Sequence, residues 1–178
     1  MANGFNVSNF MSNVEKKGGF ARSWKFGVQI KPPAGIGSNS GIDFLASSAQ
    51  LPRKGYATTE HRIYGINRTI PYEQTYEPTT IKFMNTADFS PRNFWEKWLD
   101  YIQPRKTLNV QYYQTMIGEI KIYHLPDSGS TDIASKDYDV TLFEAYPEAM
   151  GDIELGWDQN EVMSFDVTIR YKEWKSSA

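Results

Sequence analysis

The chain has 178 residues, 40% of them hydrophobic and 15% aromatic, with no cysteine and a formal net charge of -2. That length supports one domain with a full core and no composition shift divides it, so residues 1–178 read as one unit with an N-terminal arm over 1–20. The charge balance gives no basic footprint for gripping nucleic acid, the lack of cysteine excludes disulfides and thiolate metal sites, and no apolar stretch approaches the ~20 residues of a membrane span.

Val7, Phe10, Met11 and Val14 fall at i, i+3, i+4 and i+7, which predicts a short amphipathic helix over 5–16 that ends before Gly18 and Gly19. A helix so short is marginal alone. It either orders against the domain or a neighbouring subunit, or remains a partly frayed arm. Trp24 to Ile30 reads as a strand closed by Pro32 and Pro33, and Ile42 to Gln50 as another closed by Leu51 and Pro52, with a Gly/Ser turn between them.

From Lys54 to Tyr72 two polar, β-rich runs flank Gly65, Ile66 and Asn67 and predict a long hairpin. Tyr56, Thr58, Glu60, Arg62 and Tyr64 share one face, and Ala57, Thr59, His61 and Ile63 the other. Neither is apolar enough to cover a core, and a two-faced polar hairpin is marginal alone. It is either an ordinary protruding edge or a pair of strands completed by a neighbouring subunit.

Tyr76 to Gln103 is the best organised stretch, with one strand, one turn and one helix. Thr79 to Met84 are β-formers in rough alternation, and Asn85 to Asp88 break the pattern. Ser90 is placed to cap a helix, Pro91 suits its first position, and Phe89 and Phe94 have staple spacing. Phe94, Trp95, Trp98, Leu99 and Ile102 form its core face, and Pro104 stops it. Such a face needs a sheet to lie on.

Residues 107–115 and 117–125 are further strand candidates, 124–136 a polar loop, and 138–146 an alternating strand ending at Pro147. AMGDIELGWDQNE is a bent segment in which Ile153, Leu155 and Trp157 alternate with acids and glycine. Met163, Phe165, Val167, Ile169 and Tyr171 then face one way and Ser164, Asp166, Thr168, Arg170 and Lys172 the other, the clearest half-buried strand in the chain.

Catalytic and ligand chemistry is not signalled. His61 and His124 have no partner at ligand spacing and read as surface residues. No phosphate loop, dinucleotide fingerprint, zinc helix or nucleophile elbow is present. Asp127, Asp132, Asp137 and Asp139 do not follow a calcium loop and read as solvated acids, and Glu144 and Glu148 have no assignable cleft. No cofactor, metal or enzymatic activity is expected.

Four runs in order carry a family resemblance: GGFARSWKFGVQI, FLASSAQLP, INRTIPYEQTYEPTTIKFMNTADFSPRNFWEKWLDYI, and YPEAMGDIELGWDQNEVMSFDVTIRYKEW. Over nearly the whole chain they resemble the tail tube proteins of T4-like contractile-tailed phages. The closing run is the most specific, through Pro147, Gly151, Leu155, Trp157, Asp158, Asn160, Phe165, Val167 and Trp174. Gly156, where the family often has an acid, and EQTYE around Glu73, where it has a glycine, depart from the pattern and bear on local turns.

The resemblance implies a mainly β fold, an antiparallel β-sandwich or small barrel with one flanking helix at 90–103 and the extended hairpin at 54–72. It further implies a structural virion protein: six-membered rings of itself stacked into a tube inside a tail sheath, growing from a baseplate tube-initiator, capped by a terminator, and assembled in the host bacterial cytoplasm. DNA would pass through the lumen without specific binding. The expected subunit-interface residues are Phe10, Tyr56, Arg62, Tyr64, Asn67, Arg68, Trp157, Asp158 and Asn160. Thr58, Glu60, Ser164 and Asp166 are expected to face the lumen. The alternatives are a single-ring initiator or terminator of the same fold and, from another class, a carbohydrate-binding β-sandwich supported only by exposed Tyr and Trp.

Overall fold

The computed structural model describes residues 6–17, 19–38, 41–62, 64–125, 138–158 and 160–177, so most of the predicted polar loop 124–136 lies outside the described residues. Among the described residues there are nine strands: β1 (Phe26–Lys31), β2 (Ala46–Ala49), β3 (Lys54–His61), β4 (Arg68–Tyr76), β5 (Thr79–Met84), β6 (Gly118–His124), β7 (Tyr138–Met150), β8 (Ser164–Arg170) and β9 (Glu173–Ser176). The helices are α1 (Val7–Lys16), α2 (Ser90–Ile102) and the single turn α3 (Tyr113–Met116). Seven strands form one antiparallel sheet in the order β1-β6-β7-β8-β5-β2 with β9 also on β7, and β3 and β4 form a separate two-stranded sheet.

β7 belongs to both halves of the large sheet. Its first part pairs with β6 on one side and β9 on the other, and its last part pairs with β8. The switch lies at Glu144, in the left-handed region at φ 53, where the register against β6 jumps from Leu142↔Ile120 to Ala145↔Gly118. The inward positions change phase with it, from Val140 and Leu142 to Ala145 and Pro147. This extra residue is a β-bulge, and bulges bend and twist the strand that carries them. Opposite it, Tyr171 and Lys172 interrupt β8 and β9. The Lys172 N–H donates to the Phe143 carbonyl at 3.1 Å, and its ammonium lies 2.7 Å from Glu144 Oε1. The two strands therefore bend together and fold one half of the sheet over the other. The result is an open sandwich. β1 and β2 are edge strands that approach each other without a ladder between them.

The space between the halves is filled from the alternating faces. Ile81 and Phe83 of β5 stand opposite Val167 and Phe165 of β8, and Val28, Ile30, Ile120, Ile122, Val140 and Leu142 close the other half, all buried. α2 contributes Phe94, Trp95 and Trp98. The two indoles are fully buried and stacked at 5.5 Å, and Trp95 meets Phe83 at 5.3 Å. Trp98 Nε1 donates to the Met116 carbonyl at 3.0 Å, which ties α2 to α3. Leu99 and Ile102 sit half-buried at the rim of the same face.

Several local expectations are corrected. Ser90 is not the cap of α2. Phe89 takes that position at φ 57 with its ring 39% exposed rather than stapled, and the Asp88 carboxylate accepts from the Ser90 N–H at 3.2 Å. Ile42–Leu45 is one turn of 3-10 helix, so β2 begins only at Ala46. Residues 107–112 form no strand, because Gln103 and Gln111 fold them back on the end of α2 through Gln111 N–H to Ile102 O at 2.9 Å and Gln103 Nε2 to Leu108 O at 3.0 Å. β7 runs through Pro147 because the irregular register there, Pro147↔Ile169 then Ala149↔Thr168, demands no N–H from it. Asp139 is not a solvated acid: it is 4% exposed on β7, with its carboxylate 4.0 Å from Lys121 and bonded to the Ser177 hydroxyl.

Three substitutions test this packing and the bend. A Cβ at Gly118 would lie 2.5 Å from the Lys31 carbonyl and 2.8 Å from the Trp98 ring, so backbone and indole must move together. Gly118→Ala should destabilise by about 1–3 kcal/mol and Trp98→Ala by about 3–5 kcal/mol in urea unfolding. At the bend, the Lys172 ammonium, helped by the Tyr113 hydroxyl, holds the Glu144 carboxyl below the usual glutamate range. Its contribution is full above the unfolded-state value of about 4.3 and is lost as pH falls through the depressed folded value. Glu144→Gln should therefore unfold at lower urea than the parent at pH 7, with the difference vanishing at strongly acid pH.

Candidate assembly surfaces

The root of the hairpin continues the β2–β5 pair. Gln50 N–H donates to the Thr80 carbonyl at 3.1 Å and the Thr79 hydroxyl to the Gln50 carbonyl at 2.6 Å, and the pairing resumes at Lys54↔Tyr76. Pro52 and Pro78 lie in the gap. Neither has an N–H for a ladder, which is why the sheet breaks here and the hairpin stands as a separate ribbon. Its base is fastened three ways: Arg53 to Glu77 at 3.3 Å, the Tyr171 hydroxyl to the Glu77 carbonyl at 2.6 Å, and Tyr76 against the Tyr171 ring at 6.1 Å. Beyond the base it stands exposed among the described residues. No residue of β3 or β4 is buried. Tyr72 is left as the extra residue of a bulge where Ala57↔Glu73 gives way to Thr58↔Pro71.

The expected interface residues fall into three separated places. Tyr56, Arg62, Tyr64, Asn67 and Arg68 lie on the hairpin, all exposed; Tyr64 is 98% accessible, and Asn67 Nδ2 donates to Glu60 at 3.2 Å. Trp157, Asp158 and Asn160 lie on the arch of chain between β7 and β8, also exposed. Phe10 is on α1, capped by the Asn6 side chain at Ser8 N–H, 3.2 Å. No residue of α1 is buried; Phe10 meets Phe20 at 6.2 Å and leaves Val7 and Met11 uncovered. Within one chain, then, α1 does not order against the sandwich.

Thr58 and Glu60 are exposed on β3, whereas Ser164 and Asp166 are on the outer face of β8, opposite Met84 and Lys82 of β5. Two of these four are thus on the hairpin ribbon and two on the main sheet. The β5–β8 face mixes signs, with Lys82 opposite Asp166 and Arg170 held by both Glu148 oxygens at 2.7 and 3.2 Å.

Sequence reasoning passed over the apolar members of these surfaces. Ile66 and Tyr72 on the hairpin, Leu155 and Val162 on the arch, and Phe44, Leu108, Val110 and Tyr112 elsewhere are large and exposed. Patches of this kind on a folded chain mark contact surfaces. The available signal was the alternation of Leu155 with acids in a segment where no strand forms. Below the arch is a cavity of about 580 Å³ lined by Ile153, Leu155, Asp158, Glu161, Val162 and Met163 among others. At its foot Asn85 N–H donates to the Met163 carbonyl at 2.8 Å, while the buried Asn85 amide has no hydrogen-bond partner among the described residues.

His61 pairs with Arg68 across the hairpin, and His124 Nε2 lies 2.9 Å from the Arg22 carbonyl. Among the described residues no three His, Asp or Glu side chains gather as metal ligands, and no helix is long and apolar enough to cross a membrane.

Comparison with solved structures gives the fold independently. A chain of the anti-feeding prophage cap, its tube-terminating cap, superposes with a TM-score of 0.66 at 15% identity, covering 89% of this chain and 91% of that one. A chain of the PVC extracellular contractile injection system sheath-tube complex gives 0.63 at 15% identity, covering 98% and 99%. A chain of the anti-feeding prophage baseplate gives 0.64 at 15%, covering 88% and 95%. No curated protein matches the sequence. The family profile described as "Phage tail tube protein" matches residues 21–177, everything from the end of the N-terminal arm to the last strand. That family is structural and non-enzymatic, and this chain belongs to it: it is a phage tail tube family protein.

Proposed function

We propose that the chain is the brick of an inner tail tube. As a single tail-tube domain with an N-terminal arm, it joins copies of itself into six-membered rings that stack into a hollow tube inside a contractile sheath. The tube starts from a baseplate initiator and stops at a terminator. In this reading it assembles in the cytoplasm of a host bacterium and belongs to the tail of the finished particle, and after sheath contraction the genome passes down its bore. The observation that supports this most directly is the hairpin: two strands of eight and nine residues, fastened at the base, with no buried residue anywhere along them. A ribbon with open edges and exposed Tyr and Ile is stable only when another surface completes it, and matching copies supply that surface without uncontrolled aggregation. The uncovered stripe of α1 is a second such surface.

The bore in this reading is lined by polar strand faces including Thr58, Glu60, Ser164 and Asp166, near neutral to acidic. Each phosphate that Lys or Arg neutralises adds salt-dependent affinity, which would act as friction on moving DNA.

Negative-stain electron microscopy of the purified protein tests the reading: hollow tubes are expected, and a protein that stays monomeric at high concentration overturns it. Shortening the hairpin to residues 54–57 joined to 73–76, or removing residues 1–17, should abolish or shorten the tubes; normal tubes from either variant would remove that element from the assembly. The likeness to a chain of a tube-terminating cap favours one second reading, a terminator, for which assembly would stop at single rings.

A further inference from the structure

The charges of the chain are unevenly spread. Residues 1–25 hold Lys16, Lys17, Arg22 and Lys25 against the single acid Glu15, a formal +3; with -2 for the whole chain, the remainder carries -5. The next acid is Asp43. A basic end on an acidic protein points to an anionic partner.

The same end is amphipathic. Val7, Phe10, Met11 and Val14 make one stripe of α1, Asn9, Ser12, Asn13 and Lys16 take the opposite face, and no residue of the helix is buried. Where α1 stops, the Lys17 and Gly19 N–H groups both donate to the Val14 carbonyl, at 3.1 and 2.9 Å, and Gly19 takes φ 92, which only glycine adopts freely. The chain turns back there and lays the Phe20 ring 6.2 Å from Phe10, so Phe20 widens the stripe. Trp24 is exposed four residues on, with the Lys25 ammonium 5.0 Å from its ring. This part of the arm has a fixed root: His124 Nε2 lies 2.9 Å from the Arg22 carbonyl, and the Leu125 N–H donates to the Lys25 carbonyl at 3.0 Å.

A nucleic acid is held through its phosphates and leaves an apolar helix stripe without a role. A bilayer with anionic headgroups uses every part of this surface. The stripe sinks to the boundary of headgroups and acyl chains, tryptophan and phenylalanine settle at that level, and lysine and arginine meet the negative charge. We infer that α1 and residues 16–25 form a membrane-surface element of the unassembled subunit. Phe10, Met11 and Phe20 enter the headgroup boundary, and Lys16, Lys17 and Arg22 lie on anionic headgroups. The element lies on the bilayer and does not cross it: 10 residues of helix at about 1.5 Å each cover about 15 Å, half of a ~30 Å hydrocarbon core. In a tube the same face belongs to neighbouring copies, so the contact is one of the subunit before assembly, and it does not depend on the tube reading.

Flotation of freshly isolated subunit, kept below the concentration at which it assembles, tests this with vesicles of phosphatidylglycerol and phosphatidylcholine in equal parts. The subunit should rise with these vesicles at about 0.1 M salt, and about tenfold less of it with phosphatidylcholine alone or at about 1 M salt. Met11→Asp/Phe20→Asp and Lys16→Glu/Lys17→Glu should each lower binding about tenfold, while Lys97→Glu, an exposed lysine on α2, leaves it unchanged. All are exposed side chains, so circular dichroism should stay that of the parent. Subunit that stays down with anionic vesicles overturns the inference. So does flotation that survives Met11→Asp/Phe20→Asp, because cations alone then suffice. A mixed-sequence DNA duplex retarded by subunit that does not float assigns the arm to nucleic acid and overturns it too. Protein that floats and never builds tubes refutes only the tube reading, and protein that builds tubes from subunits that do not float refutes only the membrane element.

Discussion

One strand has to serve two halves of a sheet, and the rest of the molecule depends on how it turns. Glu144 is held at φ 53, a conformation that costs a non-glycine residue about 1–3 kcal/mol. The Lys172 N–H to the Phe143 carbonyl and the Lys172–Glu144 ion pair face that residue and offset the strain. Because β7 bends there, β8, β5 and β2 are carried over β1 and β6, and the enclosed space is wide enough for two stacked indoles. An unbent β7 would leave Phe83 and Phe165 facing water.

How much of this could be read from residues depended on whether the signal was periodic. α2 was legible because a helical stripe holding two tryptophans, followed by a proline, has few other readings, and β8 because five apolar residues alternate without a break. The bend was not legible. Residues 138–146 look alternating from end to end, and the phase change at Glu144 is visible only once Ala145 and Pro147 are known to be buried. Leu108, Val110 and Tyr112 alternate as well as many strands do, yet hydrogen bonds from Gln103 and Gln111 fold that segment against α2. β9 was hidden as the apparent tail of the preceding strand. Of the surfaces, the two-faced polarity of the hairpin was plain in the sequence. Its isolation from the main sheet was not, because that comes from Pro52 and Pro78 falling in the same gap between two ladders, a coincidence that no local window contains.

The surface economy of the chain is consistent with its family. A sandwich of this size could bury its large apolar residues, and this one does so for the core while leaving aromatic and aliphatic side chains on α1, the hairpin and the arch. Two of these segments are anchored at their roots by specific bonds: Arg53–Glu77 and Tyr171 at the hairpin, and Gly151 to Asp166 and Asn85 to Met163 at the arch. Fixed roots with bare tips favour recognition, since little order remains to be imposed when a surface arrives.

The separation of the hairpin root from the arch by the length of β5 gives the molecule a direction. Any array that uses the hairpin inherits it, so its leading and trailing rims differ chemically: one bristles with ribbons and the other displays only loops. A protein that starts such an array and one that halts it must therefore be built to meet different rims, and neither could substitute for the other by being turned over.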